Sequence, residues 1–343
     1  MITSRRRRSG TRARSSWRRR RRPETSGQGA DLEHRWCETS RRALYETIAR
    51  RLAAAVNRFA YAFYATNDAY AAAAIIAATA LRRTGAGRDI AFLFLHHGVS
   101  PAMVARARRA NFITRDVEPL RFTRGKYYRD CLTKLRIFQL VEYERVVFID
   151  ADSLPLQNLD HLFTSPFTQA IAAPRTYWLP QPVATSLLLV VNPSMEQWER
   201  VRRHFASAFE KRLYDMEIIN LEFKDEIHFL ADEYGCLNSE WCSATGPFHF
   251  GDAERARRLA KLVHFSHLGK PWFWRPEDAY RLLPTAHPLF HELWAQWWEL
   301  RQEILGNVPI VPFSQRLRPL AKLYLGLARR RLSRPRPPLA GRS

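Results

Sequence analysis

The 343-residue chain carries a net charge of +22, with 46% hydrophobic residues, 10 Trp and 20 Phe. That apolar and aromatic content is ample for a packed core and excludes a wholly disordered polymer. The charge is confined to the ends. Residues 1–57 hold 16 Arg against 5 acids (+11), residues 316–343 hold 9 Arg or Lys and no acid (+9), and only +2 is left for 58–315. A near-neutral interior without a nucleic-acid-binding motif argues against specific nucleic-acid recognition by the folded part.

Residues 1–57 read as an Arg-rich, largely disordered segment. Runs such as Arg5–Arg8 and Arg18–Arg22, set among Ser, Gly and Thr, cannot bury enough apolar surface to fold. A weak helical pattern over 38–57 suggests an amphipathic lead-in helix. The segment has three readings: a solvated tail, an arm for polyanions or anionic membrane surfaces, or an artefact of gene prediction. The basic Pro/Arg-rich tail 316–343 reads in the same ways. No stretch reaches about 18 consecutive apolar residues, so no membrane span is visible, and Ala69–Leu81 reads as a buried helix. The Arg-rich start is not followed by the apolar core of a secretory signal. Cys37, Cys131, Cys236 and Cys242 have no metal-site spacing. Cys236 and Cys242 are near enough to pair in an oxidising compartment, and otherwise are two free thiols.

The folded part is expected over 58–315. Phe59–Ala65 reads as a first strand, Thr66-Asn67-Asp68 as a turn and helix cap, and Tyr70–Arg83 as a helix ended by Gly85-Ala-Gly87. Strands follow at Ile90–Leu95 and Phe112–Val117, with a helix over Pro101–Asn111 between them. A helix over Cys131–Val141 leads to a strand ending at Asp150. This β-α-β-α-β-α-β order predicts an α/β fold, a mostly parallel sheet with helices on both faces. Beyond Asp152 the pattern loosens. Ser186–Val191 reads as a strand, Asn192-Pro193-Ser194 as the cap of a helix from Met195 to about Lys211, and Asp215–Phe223 as a helix. Leu262–Phe265 is a late strand, and Leu289–Leu305, with Trp294, Trp297 and Trp298, an apolar helix.

The most informative stretch is Arg145-Val-Val-Phe-Ile-Asp150-Ala151-Asp152. An apolar, β-branched run passes straight into two carboxylates one residue apart. A strand alternates its side chains with period two, so Asp150 and Asp152 are expected to project to the same side. At the carboxyl edge of a parallel sheet, such a pair suits a hard divalent cation that also holds a diphosphate.

Five ordered segments carry a resemblance: Ala65-Thr-Asn-Asp-Ala-Tyr70, Leu132-Thr-Lys-Leu-Arg136, Val147-Phe-Ile-Asp-Ala-Asp-Ser153, Asn158-Leu-Asp-His-Leu-Phe163 and His264-Phe-Ser-His-Leu-Gly-Lys-Pro-Trp272. Over residues 61 to about 275 the chain resembles glycosyltransferase family 8, the glycogenin and galactinol synthase group. The resemblance implies a GT-A, Rossmann-like nucleotide-sugar fold and a metal-dependent hexosyl transfer from a UDP-sugar, with retention at the anomeric carbon. It implies Asp150, Asp152 and His264 as ligands of Mn2+ or another divalent cation, with Asp150 and Ala151 also at the donor. Thr66, Asn67 and Tyr70 would hold uracil and ribose, and Lys270 would neutralise the diphosphate as it leaves. Lys134 would contact the donor. Each has a plainer reading: Asn67 as an ordinary N-cap, His264 as a hydrogen-bonded core histidine, Lys134 as a surface lysine.

The acceptor half departs from glycogenin. Thr185-Ser186-Leu187 stands where the family shows Asn-Ala/Ser-Gly, and Asp215-Met216-Glu217 where it shows Asp-Gln-Gly. With Tyr234-Gly-Cys-Leu-Asn-Ser-Glu240, this is similar to a divergent, fungal-type branch that includes Golgi N-acetylglucosaminyltransferase-like proteins. Asp215 is the carboxylate to orient the sugar or acceptor, and the candidate nucleophile for a covalent route. The acceptor, a glycan, a protein or a small polyol, is left open. So is location: the cytosol for the chain as written, the Golgi lumen if the natural N-terminus carries an anchor. Three rivals stand beside the enzyme: a polyanion-binding protein acting through its flanks, a catalytically inactive GT-A scaffold, and a sugar nucleotidyltransferase. The last lacks its glycine-rich opening loop here.

Overall fold

The computed structural model describes residues 58–120, 126–246, 248–308 and 311. The flanks 1–57 and 316–343, with the expected lead-in helix, lie outside the described residues. In chain order the elements begin with β1 (Phe59–Ala65), α1 (Asp68–Arg83), β2 (Ala91–His96), α2 (Pro101–Arg109), β3 (Ile113–Asp116), α3 (Lys126–Thr133) and β4 (Arg145–Ile149). They continue through β5 (Ser153–Pro155), β6 (Ile171–Pro174), β7 (Leu188–Val191), α4 (Met195–Arg202), α5 (Asp215–Glu222), β8 (Ile227–Leu230) and β9 (Cys236–Leu237). Last come α6 (Ala253–Leu259), β10 (Leu262–His264), α7 (Pro276–Leu282) and α8 (Pro288–Leu305).

The main sheet has seven strands in the order β3-β2-β1-β4-β7-β6-β8. All its pairings are parallel except the two that β7 makes, with β4 and with β6. The central strands are buried on both faces, which is why they read as continuous apolar runs. Their alternation sorts side chains by size. Ala60, Ala62 and Tyr64 of β1 face a layer built from α3, α4 and α5, including Leu132, Trp198 and Ile218. Tyr61 and Phe63 face the opposite layer with α1 and α8. A second sheet, β5-β10-β9, lies against this latter core.

Helix α1 is alanine-rich because its face is pressed against neighbours: Ala71 to Ala74, Ala77 and Ala78 have no exposed surface. Asn67 caps its start, accepting from Ala69 N–H at 3.0 Å and Tyr70 N–H at 3.2 Å. Past its end, Gly85 and Gly87 both have left-handed backbones, with φ of 82° and 79°. At Gly87 a Cβ would lie 2.3 Å from the Phe92 ring, and the amide donates to Asp160 at 3.0 Å. At Gly85 nothing lies within 4 Å of such a Cβ.

Three expectations are corrected. The helix expected over Cys131–Val141 is α3 followed by a 3-10 turn, Lys134–Gln139. Leu132, Thr133, Lys134, Leu135, Ile137 and Phe138 are all buried, so the segment is enclosed on several sides and shows no single α-helical stripe. The helix expected from Met195 to about Lys211 stops at Arg202 and passes to a 3-10 turn, Phe205–Ser207. There His204, Ser207 and Ala208 N–H each bond the carbonyl three residues back, the 3-10 pattern. The strand expected from Ser186 starts at Leu188, and it runs antiparallel to β4. Cys131, Cys236 and Cys242 are free thiols, and among the described residues no helix is long and apolar enough to cross a membrane.

The two glycines separate backbone strain from collision. Gly85→Ala is expected to cost about 1 kcal/mol, for the left-handed backbone alone. Gly87→Ala adds the Phe92 clash and should cost about 1–3 kcal/mol more. Guanidinium denaturation midpoints of the two variants check the difference.

Candidate active site

The carboxyl edge of the sheet opens into a cleft of about 540 Å³. It is lined by every residue singled out from the sequence: Thr66, Asn67, Tyr70, Lys134, Asp150, Ala151, Asp152, Asp215, His264 and Lys270. Tyr64, Tyr127, Asp130, Cys131, Trp178, Thr185, Ser186, Leu187, Leu237 and Ser266 complete the wall.

The convergence of the two aspartates has a different cause from the one expected. β4 ends at Ile149, so strand alternation does not place them. Asp150 N–H is held by Leu187 carbonyl at 2.8 Å, and Asp150 carbonyl accepts from Ser153 N–H at 3.1 Å. The chain therefore turns through Asp150-Ala151-Asp152, and β5 leaves in a new direction. This turn also delivers His264. β10 pairs antiparallel with β5 in a register that sets His264 opposite Ser153, and Phe265 N–H donates to Asp152 carbonyl at 3.1 Å. One ligand atom each from Asp150, Asp152 and His264 lies within 4.8 Å of the others. Two carboxylate oxygens and an imidazole nitrogen at that spacing can converge on one divalent ion with ligand distances of about 2–2.5 Å.

Two lysines flank the cluster. Lys134 Nζ lies 3.2 Å from Asp150 and 2.5 Å from Asp215, and donates to Ser186 Oγ at 3.3 Å. It is buried, so the surface-lysine reading does not hold. Ser186 Oγ also donates to Asp215 Oδ2. Lys270 Nζ pairs with Asp152. It is carried by a loop with two left-handed residues, Leu268 (φ 63°) and Gly269 (φ 81°). Asn238, itself buried, frames that loop by accepting from Ser266 N–H at 2.8 Å and His267 N–H at 2.9 Å. The tryptophans fix the rest: Trp274 indole donates to Leu268 carbonyl, Trp294 to Trp274 carbonyl and Trp298 to Pro271 carbonyl, each at 2.9–3.0 Å. Trp272 meets Tyr70 edge to face at 4.9 Å.

The charges are unequal in their surroundings. Burial raises Asp150 to about 7, helped by Asp152 and Asp215 and opposed by Lys134. Burial also works to raise Asp152, but Lys270 and His264 outweigh it and hold that carboxyl at about 2. Burial lowers His264 to about 4 against the pull of Asp152, so its ring is neutral at pH 7. Lys134 loses water by burial, yet Asp150 and Asp215 raise it and keep it an ammonium. The capping reading of Asn67 holds for Oδ1, which serves α1, while its side chain still lines the cleft. Asn238 and Ser186 had no separate signal in the sequence. Both lie in the stretches that departed from the glycogenin pattern, and only the fold supplies their partners.

No family model matches the chain. A glucose N-acetyltransferase 1 of Aspergillus fumigatus is 30% identical over 250 residues, covering 63% of this chain and 65% of that protein. A protein of the same name from Gibberella zeae is 29% identical over 244 residues, covering 63% of this chain and 53% of the relative. Glycogenin of Neurospora crassa is 23% identical over 247 residues, 69% of this chain and 34% of that one. The aligned region thus spans between half and two thirds of the first two relatives. Among solved structures, galactosyltransferase LgtC with donor and acceptor sugar analogs superposes with a TM-score of 0.53 at 18% identity, covering 75% of this chain and 99% of that one. The fold is that of the GT-A glycosyltransferases, and the resemblance to the glycogenin-like group, on its fungal side, holds in sequence and in fold.

Removing the ammonium from the Asp150–Lys134–Asp215 arrangement leaves two carboxylates largely out of water without a cation, Asp215 keeping only the Ser186 hydroxyl. Lys134→Met is expected to destabilise the fold by about 3–5 kcal/mol at pH 7. Chemical denaturation followed by circular dichroism measures this.

Proposed function

We propose that this chain is a glycosyltransferase that moves a hexosyl group from a UDP-sugar to an acceptor hydroxyl, with a divalent cation and with retention at the anomeric carbon. The observation that carries the reading is the convergence of Asp150, Asp152 and His264 at the carboxyl edge, with Lys270 beside them, in a GT-A fold. With Asp150 ionised, Asp150, Asp152 and Asp215 bring three negative charges against the two positive charges of Lys134 and Lys270, with His264 neutral. One negative charge in excess suits a divalent cation, and the sum then suits a diphosphate. A mixed set of carboxylate oxygens and imidazole nitrogen favours manganese over magnesium. When bound, the ion supplies positive charge at the diphosphate as the sugar bond breaks.

The residues divide that work. His264, uncharged because it is buried, keeps a nitrogen lone pair for ligation at neutral pH. Lys270 supplies a second positive charge at the leaving diphosphate. Thr66, Asn67 and Tyr70, at the end of β1 and the start of α1, offer polar groups to a base and ribose. Lys134 and Ser186 fix the Asp215 carboxylate by engaging its Oδ2. So held, Asp215 orients the transferred sugar, and it is the residue available should retention pass through a covalent intermediate.

Calorimetric titration of UDP, with and without manganese, tests this on the wild type and Asp152→Asn. Binding is expected to require manganese and to weaken in the variant by more than about tenfold, or 1.4 kcal/mol. No UDP binding under any condition would reduce the chain to a GT-A scaffold. A pH series adds a second check. Ligation needs Asp150 unprotonated, and its carboxyl titrates at about 7. Manganese affinity is therefore expected to be level above that pH and to fall below it, towards about tenfold per unit. Affinity that stays level down to pH 5 would show that burial does not raise the Asp150 carboxyl.

A further inference from the structure

Large aromatic rings left open to solvent are few among the described residues: Tyr127 at 67%, Trp178 at 38%, Phe209 at 36% and Tyr280 at 60% exposure. Two of them, Tyr127 and Trp178, line the catalytic cleft, and they reach it from different elements. Neither is a loose side chain. Trp178 sits on a loop pinched at its base by a bridge between Arg175 and Ala184. Inside that bridge the buried Thr176 gives both its amide and its hydroxyl to Val183 carbonyl, each at 2.8 Å. Its neighbour Tyr177 stacks on His249 with ring centroids 4.2 Å apart and accepts from Leu237 N–H at 3.1 Å. The indole meets the Tyr177 ring edge to face at 5.1 Å. The loop is thus fixed on three sides while the indole stays open.

Both rings share the cleft with Asp215, and the segments that carry them lead to it. The loop that bears Trp178 runs directly into Thr185 and Ser186, and Ser186 bonds Asp215. Its last residue, Ala184, is doubly bonded to the Asn220 side chain of α5, at 2.8 Å in each direction, and Asp215 is the first residue of α5. From the other wall, Tyr127 packs on Tyr214 with centroids 5.5 Å apart, one residue before Asp215. A hexose ring has one face of C–H groups and a rim of hydroxyls. Its C–H face suits the negative face of an indole or phenol, and its hydroxyls suit short polar groups such as Thr185 and Ser186.

We propose that Trp178, with Tyr127, forms the acceptor subsite and stacks the pyranose ring of a glycan acceptor. This rests on the glycosyltransferase reading above and narrows its acceptor from glycan, protein or polyol to a carbohydrate.

The test is ligand-observed NMR titration on the full chain with methyl β-D-glucopyranoside, methyl α-D-mannopyranoside and lactose. Glycerol and N-acetyl-tyrosinamide stand for polyol and peptide acceptors. Each is titrated with and without UDP and manganese, and UDP binding to the same wild-type sample is recorded separately. At least one glycoside is expected to bind. Trp178→Ala should weaken it about three- to tenfold, the equivalent of an aromatic contact. Trp178→Phe should restore most of the loss, and Tyr127→Ala should weaken it to a lesser degree. The proposal is overturned if no glycoside binds the wild type, if Trp178→Ala binds as tightly, or if only glycerol or the tyrosine amide binds. UDP binding without glycoside binding removes the subsite and leaves the donor reading standing; glycoside binding without UDP binding overturns the donor reading and leaves a carbohydrate site that is not an acceptor subsite.

Discussion

At the edge of the sheet three carboxylates and two ammonium groups are drawn largely out of water within one cleft. Each ion transferred in this way costs several kcal/mol, and only close, well-oriented partners offset that cost. Lys134 between Asp150 and Asp215, and Lys270 on Asp152, supply the offset. Much of the surrounding architecture follows from the need to hold these groups still. The turn after β4 aims the two aspartates, and the β5–β10 pairing brings His264 alongside. Asn238 and the tryptophans of the carboxyl-terminal segment hold the loop that carries Lys270. Side chains far apart in the sequence thus serve one electrostatic arrangement, and the aromatic core on that face of the sheet doubles as its frame.

The first half of the fold was legible because β1, β2 and β4 are buried on both faces and the capped helices α1 and α2 follow β1 and β2. Asn67 before α1 and Gly85 and Gly87 after it mark boundaries that physical chemistry makes explicit. The second half was not legible to the same degree. β6, β8 and β9 are short, and segments such as Ile227-His-Phe-Leu230 and Cys236-Leu237 offer too few residues for a period to show. Nor does any local signal reveal that β7 runs against its neighbours; direction is set by where the chain has come from.

The site divides along the same line. Asp150 and Asp152 stand out locally, and His264 and Lys270 only through an ordered set of matching segments. Lys134 could not be told from a surface lysine until burial and its two aspartate partners were seen. Ser186, Asn238 and Trp178 depend wholly on partners brought by the fold, so no spacing within the sequence could have marked them. The physical reason for the aspartates' convergence also differed from expectation, since a turn replaces the strand alternation, although the residues themselves meet.

The alanine face of α1 has one more consequence. Alanine has no side-chain rotamers to lose on burial, so a helix seated through Ala71–Ala74, Ala77 and Ala78 is ordered at little entropic cost beyond that of its backbone. The polar turn Thr66–Asn67 is the cap of that same helix and inherits its fixity. One wall of the cleft is therefore set before anything enters it, and a molecule that docks there gives up its own freedom without having to order the wall as well. Affinity on that side comes from preorganisation, and a bulkier, more mobile helix face in the same position would forfeit it.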